Sequence, residues 1–414
     1  MAQVRERERE PARVKALSAL AAPWLARVAR SPLAALSAVA CVLVAALLAQ
    51  SLAGGALIPL RVAVPRAAVT SRDPAALAHV QPGEIPPWTI SLTSITMASP
   101  TDGWASGFTD YRSTNGATPI LLHYDGSAWR RVDGLALFVS ALVALPTGDV
   151  WGTTSLNILH YSGATWNVEA GDIAGPSVGF SSISMLSAEE GWAVGSESNN
   201  APAGPTGSDT VPVYTRPLLL HYQQGTWTRL PADPQLDNVQ LSSISMRSPD
   251  DGWAVGNAIG GSIAPVVLRY SGGQWRRLAS AFPGGSLLSI SAAGPGEAWA
   301  VGYGGPVSGI ALHCVRDACT RVEMPTSNIL SAVAMRSPTD GWIGGHGAVT
   351  LHYDGHQWTK AGLVIHGEVL TGLAMQSATE GWAAGDPFSA DYGMPLLRCH
   401  NGVWQPEELH IRLP

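Results

Sequence analysis

The stretch LSSISMRSPDDGWAVG, residues 241–256, decides the fold, because the chain keeps returning to it. It comes back as LTSITMASPTDGWASG from Leu92, FSSISMLSAEEGWAVG from Phe180, LSAVAMRSPTDGWIGG from Leu330 and LTGLAMQSATEGWAAG from Leu370. LFVSALVALPTGDVWG from Leu137 and LLSISAAGPGEAWAVG from Leu287 read as two weaker copies, which makes seven. After a variable gap a second element follows, such as ILLHYDGSAW at 120–129. Its counterparts are NILHYSGATW, LLLHYQQGTW, VVLRYSGGQW, VTLHYDGHQW and PLLRCHNGVW. Of the 15 tryptophans, thirteen occupy these two slots, so repetition explains their number.

The unit reads as four short strands. In the first, Leu241, Ile244 and Met246 alternate with small Ser, as a strand crowded near a central axis requires. The second, GWAV, alternates bulky and small residues with the period of two expected of a sheet. Between them, Ser248-Pro249-Asp250-Asp251-Gly252 has turn chemistry: Pro presets φ and Gly accepts positive φ. The third and fourth strands form a hairpin around Asp-Gly or Ser-Gly, with Tyr124 and Trp129 spaced to face each other across it. Four strands per unit, seven times over, predict an all-β, seven-bladed β-propeller spanning 87–414. One such sheet cannot bury its own faces, so the tryptophans should pack blade against blade. How the ring closes is open: Pro87-Trp88-Thr89-Ile90 resembles a fourth strand that could join the last blade, but Trp404 already fills that slot.

The N-terminus is of another kind. Residues 1–30 carry seven basic side chains against three glutamates, and 31–60 carry no charge. The near-unbroken Ala, Leu and Val of 33–53 is long enough to cross a hydrocarbon core as one helix. Basic residues before it predict a cytoplasmic N-terminus and a propeller outside the cytoplasm, anchored in the cell membrane by a single pass. A cleaved signal peptide is the alternative, given the small residues at 53–56; a lipid-modified Cys41 fits less well, since the apolar run continues past it. Residues 61–86, rich in Ala, Pro and Val, read as a linker.

The net charge of −6 shows no basic footprint on the globular part and argues against a nucleic-acid partner. His123, His160, His221, His313 and His352 fall one per repeat, too dispersed to share a metal, so neither metal nor cofactor is expected. An acid precedes every repeat tryptophan (Asp102, Asp149, Glu190, Asp251, Glu297, Asp340, Glu380) and reads as a turn stabiliser, or alternatively as a ring of carboxylates open to cations. Cys314 and Cys319 replace the hairpin Tyr and Trp of the fifth copy at the same spacing, which places them for a disulfide; Cys399 fills a Tyr slot with no evident partner. What repetition leaves unexplained lies between the second and third strands: Phe108, Asp110, Tyr111, Arg112, Tyr214, Arg216, Tyr303, Phe388, Asp391 and Tyr392, with Asp209, Asp386 and the insertion at 196–217 beside them. Variable loops on a rigid scaffold are where recognition concentrates, and these residues are the candidate ligand-binding set.

The pair GWAVG … LLHYDGxxW resembles the BNR or Asp-box-like propellers, in particular bacterial relatives of the photosystem II assembly factor. The resemblance runs from about Trp88 to Trp404 and implies the propeller fold; the full Ser-x-Asp-x-Gly-x-Thr-Trp box is absent. The expected function is a monomeric, non-catalytic module that binds a protein or glycan at the cell surface. A sialidase-like hydrolase and a purely structural spacer are the alternatives. The hydrolase would need three convergent arginines, whereas only Arg112 and Arg216 lie in candidate loops.

Overall fold

The computed structural model describes residues 84–85, 89–109, 117–170, 178–198, 215–259, 261–278, 284–305, 308–361, 368–387 and 395–412. The chain divides into two units, Met1–Thr70 and Ser71–Pro414, and every described residue belongs to the second. The expected membrane segment at 31–60 therefore lies outside the described residues. Among those described, no helix is long and apolar enough to cross a membrane.

Seven four-stranded antiparallel sheets follow one another along the chain, each paired in simple sequence order. They span 90–131, 141–168, 178–229, 239–277, 286–322, 330–360 and 368–406, and are called blades 1 to 7. In blade 4 the strands are Val239–Ser248, Asp251–Ala258, Ala264–Ser271 and Gln274–Arg277. First strands of neighbouring blades touch one another, which makes them the innermost layer around the axis. The seven-bladed propeller expected from the repeats is the fold.

The innermost strand explains its serines. One edge pairs with the second strand; the other would leave N–H and C=O groups unmade at the axis. Ser182 and Ser184 of blade 3 accept the backbone N–H groups of Ile244 and Met246 in blade 4, at 3.3 and 3.0 Å. Ser243 and Ser245 do the same for Ile290 and Ala292 in blade 5, and Ser289 and Ser291 for Val333 and Met335 in blade 6. Ser94 and Thr96 serve Leu142 and Ala144 in blade 2. One residue earlier, Thr93, Ser181, Ser331 and Thr371 donate to the first-strand carbonyl of the next blade. Crowding alone would have admitted alanine, and the hydroxyls do more: they stitch neighbouring blades together along the axis.

Tryptophan does the corresponding work further out. The seven second-strand tryptophans are all at or below 5% exposed. Trp151 packs on Tyr222 and Trp227 of the next blade at 4.8 and 5.9 Å, and Trp192 on Tyr270 and Trp275 at 4.8 and 5.6 Å. Trp104 and Trp299 repeat the arrangement. In five of the seven hairpins the expected cross-strand aromatic pair is present, as in Tyr124 opposite Trp129 with ring centres 5.3 Å apart. Tilted and edge-on contacts of this kind contribute about 0.5–1.5 kcal/mol each beyond burial.

Ring closure follows the same rule. Val403–Pro406 is the fourth strand of blade 7, and Ile90 belongs to the innermost strand of blade 1, so no strand is exchanged between the ends. Trp382 packs on Tyr124 and Trp129 across the junction. Beyond the blades, Glu84–Ile85 pairs with Ile411–Arg412, and Leu409 and Ile411 are buried in the blade 1 core. Pro87 and Trp88 lie outside the described residues.

One repeat needs correcting. Leu142 faces Gly152 as Ile244 faces Ala254, so the second copy starts at Val139, not Leu137. A slip of two residues leaves the in–out alternation of a strand unchanged, so alternation could not reveal it. Leu137 thereby leaves the buried first slot and Phe138 the second, and both are exposed residues ahead of the repeat.

In blade 5, Cys314 and Cys319 face each other with Cα atoms 4.0 Å apart and are joined by a disulfide. The bond stands where five other blades carry Tyr and Trp, against Trp253 of blade 4. Trp253 also has the Arg269 guanidinium 4.5 Å from its ring centre, where five other blades stack or tilt a histidine. Cys314→Ala with Cys319→Ala should lower stability by about 2 kcal/mol from the short closed loop alone. A urea titration against the oxidised wild type reads this directly. Restoring the repeat with Cys314→Tyr and Cys319→Trp should recover part of the loss under reducing conditions. Cys399 is buried, and burial pushes its thiol up to about 11, so it stays protonated at neutral pH.

Candidate functional site at the axial mouth

The acids before the tryptophans pair inside each blade, and the expected turn contacts are also present, as where Thr147 Oγ1 donates to Asp149 at 2.6 Å. His123, His160, His221, His313 and His352 lie directly opposite their blade's tryptophan on the third strand. Their Nε2 atoms stand 2.6–3.0 Å from Asp102, Asp149, Glu190, Glu297 and Asp340. In blade 4, Arg269 Nη2 lies 2.8 Å from Asp251, whose other oxygen accepts the Gly296 N–H of blade 5. In blade 7, Glu380 takes His400 and the Asn401 N–H. Those contacts, the Asn401 N–H first, hold the Glu380 carboxyl below its usual range, and the Thr147 hydroxyl does the same for Asp149. The carboxylates are thus tied to their own blades rather than presented as an open ring. The histidines are likewise dispersed, and no three His, Cys, Asp or Glu among the described residues are grouped to hold a metal ion.

The opposite face is built differently. Because the strands alternate in direction, the second-to-third connections and the blade-to-blade connections open on one side, the loop face. The repeat ends there on the last glycine of GWAVG. Gly107, Gly195, Gly256, Gly302 and Gly345 each leave no room for a Cβ, which would overlap a first-strand carbonyl. One residue later the constraint stops. That next residue is Phe108, Ser196, Asn257, Tyr303, His346 or Asp386, according to blade, and each is half-buried. Five of the six face an innermost-strand residue: Ser91, Gly179, Gln240, Ser286 and Val369. His346 N–H donates to the sixth, Ile329. These two circles of residues rim the axis on the loop face.

Contacts join the rim from blade to blade. Ser91 Oγ donates to Asp386 at 2.7 Å, Ser286 Oγ donates to Asn257 at 3.0 Å, and His346 bridges to Val369. Phe108 lies 6.5 Å from Phe138, which is 49% exposed. Blade 2 has the short second strand Val150–Thr153, followed by a tight turn at 154–157. Leu156 in that turn and Leu137 beside Phe138 in sequence are also exposed. Burial holds His346 below the ordinary histidine range, which keeps it neutral at pH 7. Asp386 is the one charged residue among these rim positions.

Of the sequence candidates, Phe108 and Tyr303 sit on this rim. Arg216 does not: it pairs with Asp237 at 2.7 Å, to one side. Asp110, Tyr111, Arg112, Tyr214, Phe388, Asp391 and Tyr392 lie outside the described residues. Phe138 was hidden by the misplaced second copy. His346 and Asn257 could have been found by reading the repeats one column past the glycine that six blades share, where consensus vanishes at a fixed place.

No family model matches the chain, and no curated protein does. Solved structures do. YCF48 bound to a D1 peptide aligns over 77% of this chain and 95% of its own, at 16% identity and a TM-score of 0.51. A catalytically inactive virginiamycin B lyase from Staphylococcus aureus, with quinupristin, aligns over 73% and 94%, at 14% identity and 0.53. An acylaminoacyl peptidase from Pyrococcus horikoshii aligns over 77% and 52%, at 8% identity and 0.53. The likeness is one of fold. Binding proteins and enzymes share it, and at these identities it carries no activity across.

Proposed function

We propose that this chain is a non-catalytic binding module: a propeller held outside the cytoplasm by its N-terminal apolar segment, taking a protein segment at the axial mouth of its loop face. The observation that carries the reading is the change of character just past the repeat glycine. A scaffold constrained at every other column presents six different side chains at one rim, beside exposed Phe138. Exposed apolar groups such as Phe138 beside Phe108 favour protein side chains over sugars. YCF48 taking a D1 peptide is a precedent on the same fold. Kinship with the Asp-box-like propellers is part of the proposal. Asp125 and Asp354 cap their hairpins by accepting two backbone N–H groups each, at 2.8–3.0 Å. A sialidase-like reading has less support, since Arg131, Arg229, Arg277 and Arg321 lie in outermost strands, away from the axis.

Proximity labelling on intact cells tests the module, comparing wild type with Phe108→Ala, Phe138→Ala. A defined set of labelled proteins should be lost in the variant while its urea midpoint stays near wild type. An unchanged set would remove the mouth from consideration. Protease added outside should digest the propeller and spare a tag at the N-terminus; the reverse pattern would sink the topology.

A further inference from the structure

We infer that the axial layer has one adjustable element: the innermost strand of blade 7, which opens locally between Gly372 and Met375 while the other innermost strands are held. The inference stands whatever the mouth binds. It starts from the two slots whose hydroxyls accept amides of the next blade. Blades 1, 3, 4 and 5 fill both slots with Ser or Thr, and all eight bonds are made. In register with them stand Ala141 and Val143 in blade 2, Ala332 and Ala334 in blade 6, and Gly372 and Ala374 in blade 7, none with a hydroxyl to offer. Blades 2 and 6 still receive a pair from the blade before them, and blades 1 and 3 give a pair to the blade after them. Blade 7 alone neither gives nor receives. Leu373 and Met375 lack this acceptor on one side, as Ile95 and Met97 of blade 1 do on the other, and solvent in the channel is what remains for their N–H groups. At Gly372 the missing contact is only a side chain away: a Cβ there would stand 3.4 Å from the Ile95 nitrogen.

A second observation sets the same strand apart. In blades 1, 3, 4, 5 and 6 a Cβ on the repeat glycine would overlap a first-strand carbonyl, whereas on Gly385 it would stand 3.2 Å from the Val369 carbonyl oxygen. The first two strands of blade 7 are therefore less tightly apposed at that end. Contacts at both ends still hold the strand. The Leu370 carbonyl accepts from Ser331, Thr371 donates to the Leu92 carbonyl at 2.7 Å, and Gln376 Nε2 donates to the Ser99 carbonyl at 3.2 Å. Trp342 on Trp404 and Trp382 on Tyr124 keep the rest of the blade packed on either side. What is left free is the middle of one strand, with a glycine in its interior, where a strand is weakest.

Hydrogen exchange resolved to single residues, on the full chain in mild detergent, tests this. Gly372 and Ala374 face Ala384 and Trp382 as Ser243 and Ser245 of blade 4 face Val255 and Trp253. Corrected for intrinsic rates, the blade 7 pair should exchange about tenfold faster, as the loss of one or two hydrogen bonds warrants. Low urea should leave that faster rate unchanged, because a local opening exposes little surface. Ala332→Ser with Ala334→Ser supplies the missing pair at the junction with blade 6, away from the ring's closure, and should slow Gly372 and Ala374 about tenfold. Gly372→Ser with Ala374→Ser should slow Ile95 and Met97 in the same way. Serine fills both slots in blades 3, 4 and 5, so the fold accommodates it. Equal protection of all seven innermost strands overturns the inference. So does fast exchange in blade 7 that the blade 6 serines leave unchanged in a folded protein, since ring closure alone would then explain it.

Discussion

Trp382→Ala should destabilise the propeller by about 3–5 kcal/mol, the range for removing a fully buried aromatic side chain. The location makes the loss more than local. Blades 1 and 7 are joined by no shared strand. The junction depends on Trp382, 5.1 Å from Tyr124 and 5.4 Å from Trp129. Around it are three hydrogen bonds, from Thr371 to the Leu92 carbonyl, Ser91 to Asp386 and Gln376 to the Ser99 carbonyl. Each contributes about 0.5–1.5 kcal/mol net. With the indole gone, those bonds, the terminal strand pair and the burial of Ala384 and Leu396 against blade 1 would hold the ring. Urea unfolding measures the cost. Hydrogen exchange should locate it, rising first in the innermost strand of blade 1 and the second strand of blade 7. The equivalent Trp299→Ala, inside the ring, should show comparable loss without that focus. A penalty under about 1 kcal/mol at Trp382 would mean that the pairing of Glu84–Ile85 with Ile411–Arg412 carries closure instead.

Gly256→Ala should be nearly as severe, at about 3 kcal/mol or more, and Gly252→Ala much milder, although the two glycines lie four residues apart in one strand. A Cβ on Gly256 would overlap the Gln240 carbonyl oxygen and lie 2.9 Å from Leu241 Cα. That backbone is fixed by the bulge between Leu241 and Ser243, where the first strand carries one extra residue. Neither strand can retreat without breaking the ladder. A Cβ on Gly252 meets only the end of the Met246 side chain, which is unbranched and can rotate. Blades 2 and 5 show the alternative solution: Ala144 faces Val150, and Ala292 faces Ala298, where the other blades pair Met with Gly. Paired urea titrations of the two variants decide the matter. Equal penalties would show that the bulge yields more easily than its hydrogen bonds suggest.

The repeats were legible because a propeller blade is a local object. Its strands are consecutive, its hairpins close over a few residues, and the alternation of bulky and small side chains is imposed by the sheet itself. Tyr124 and Trp129 could be placed opposite each other from spacing alone, and the same spacing brought Cys314 to Cys319. The histidine–carboxylate pairs were visible as columns but not as partners. His221 and Glu190 are 31 residues apart, and the variable insertion between them hides the register that sets Trp192 against His221.

By itself, then, the sequence determined the number of blades, the strands in each and the slots that tryptophan fills, since all of these are written within one repeat. Only the tertiary structure decided what happens between repeats. Serine hydroxyls satisfy the axial edge of the next blade, Trp382 closes the ring, and Phe108, Phe138 and Asp386 meet around one mouth. Those contacts join residues separated by as much as 295 positions, and their distances follow from the rotation that packs seven sheets around an axis. No periodicity along the chain records that rotation. It emerges when each sheet buries the face it cannot bury alone.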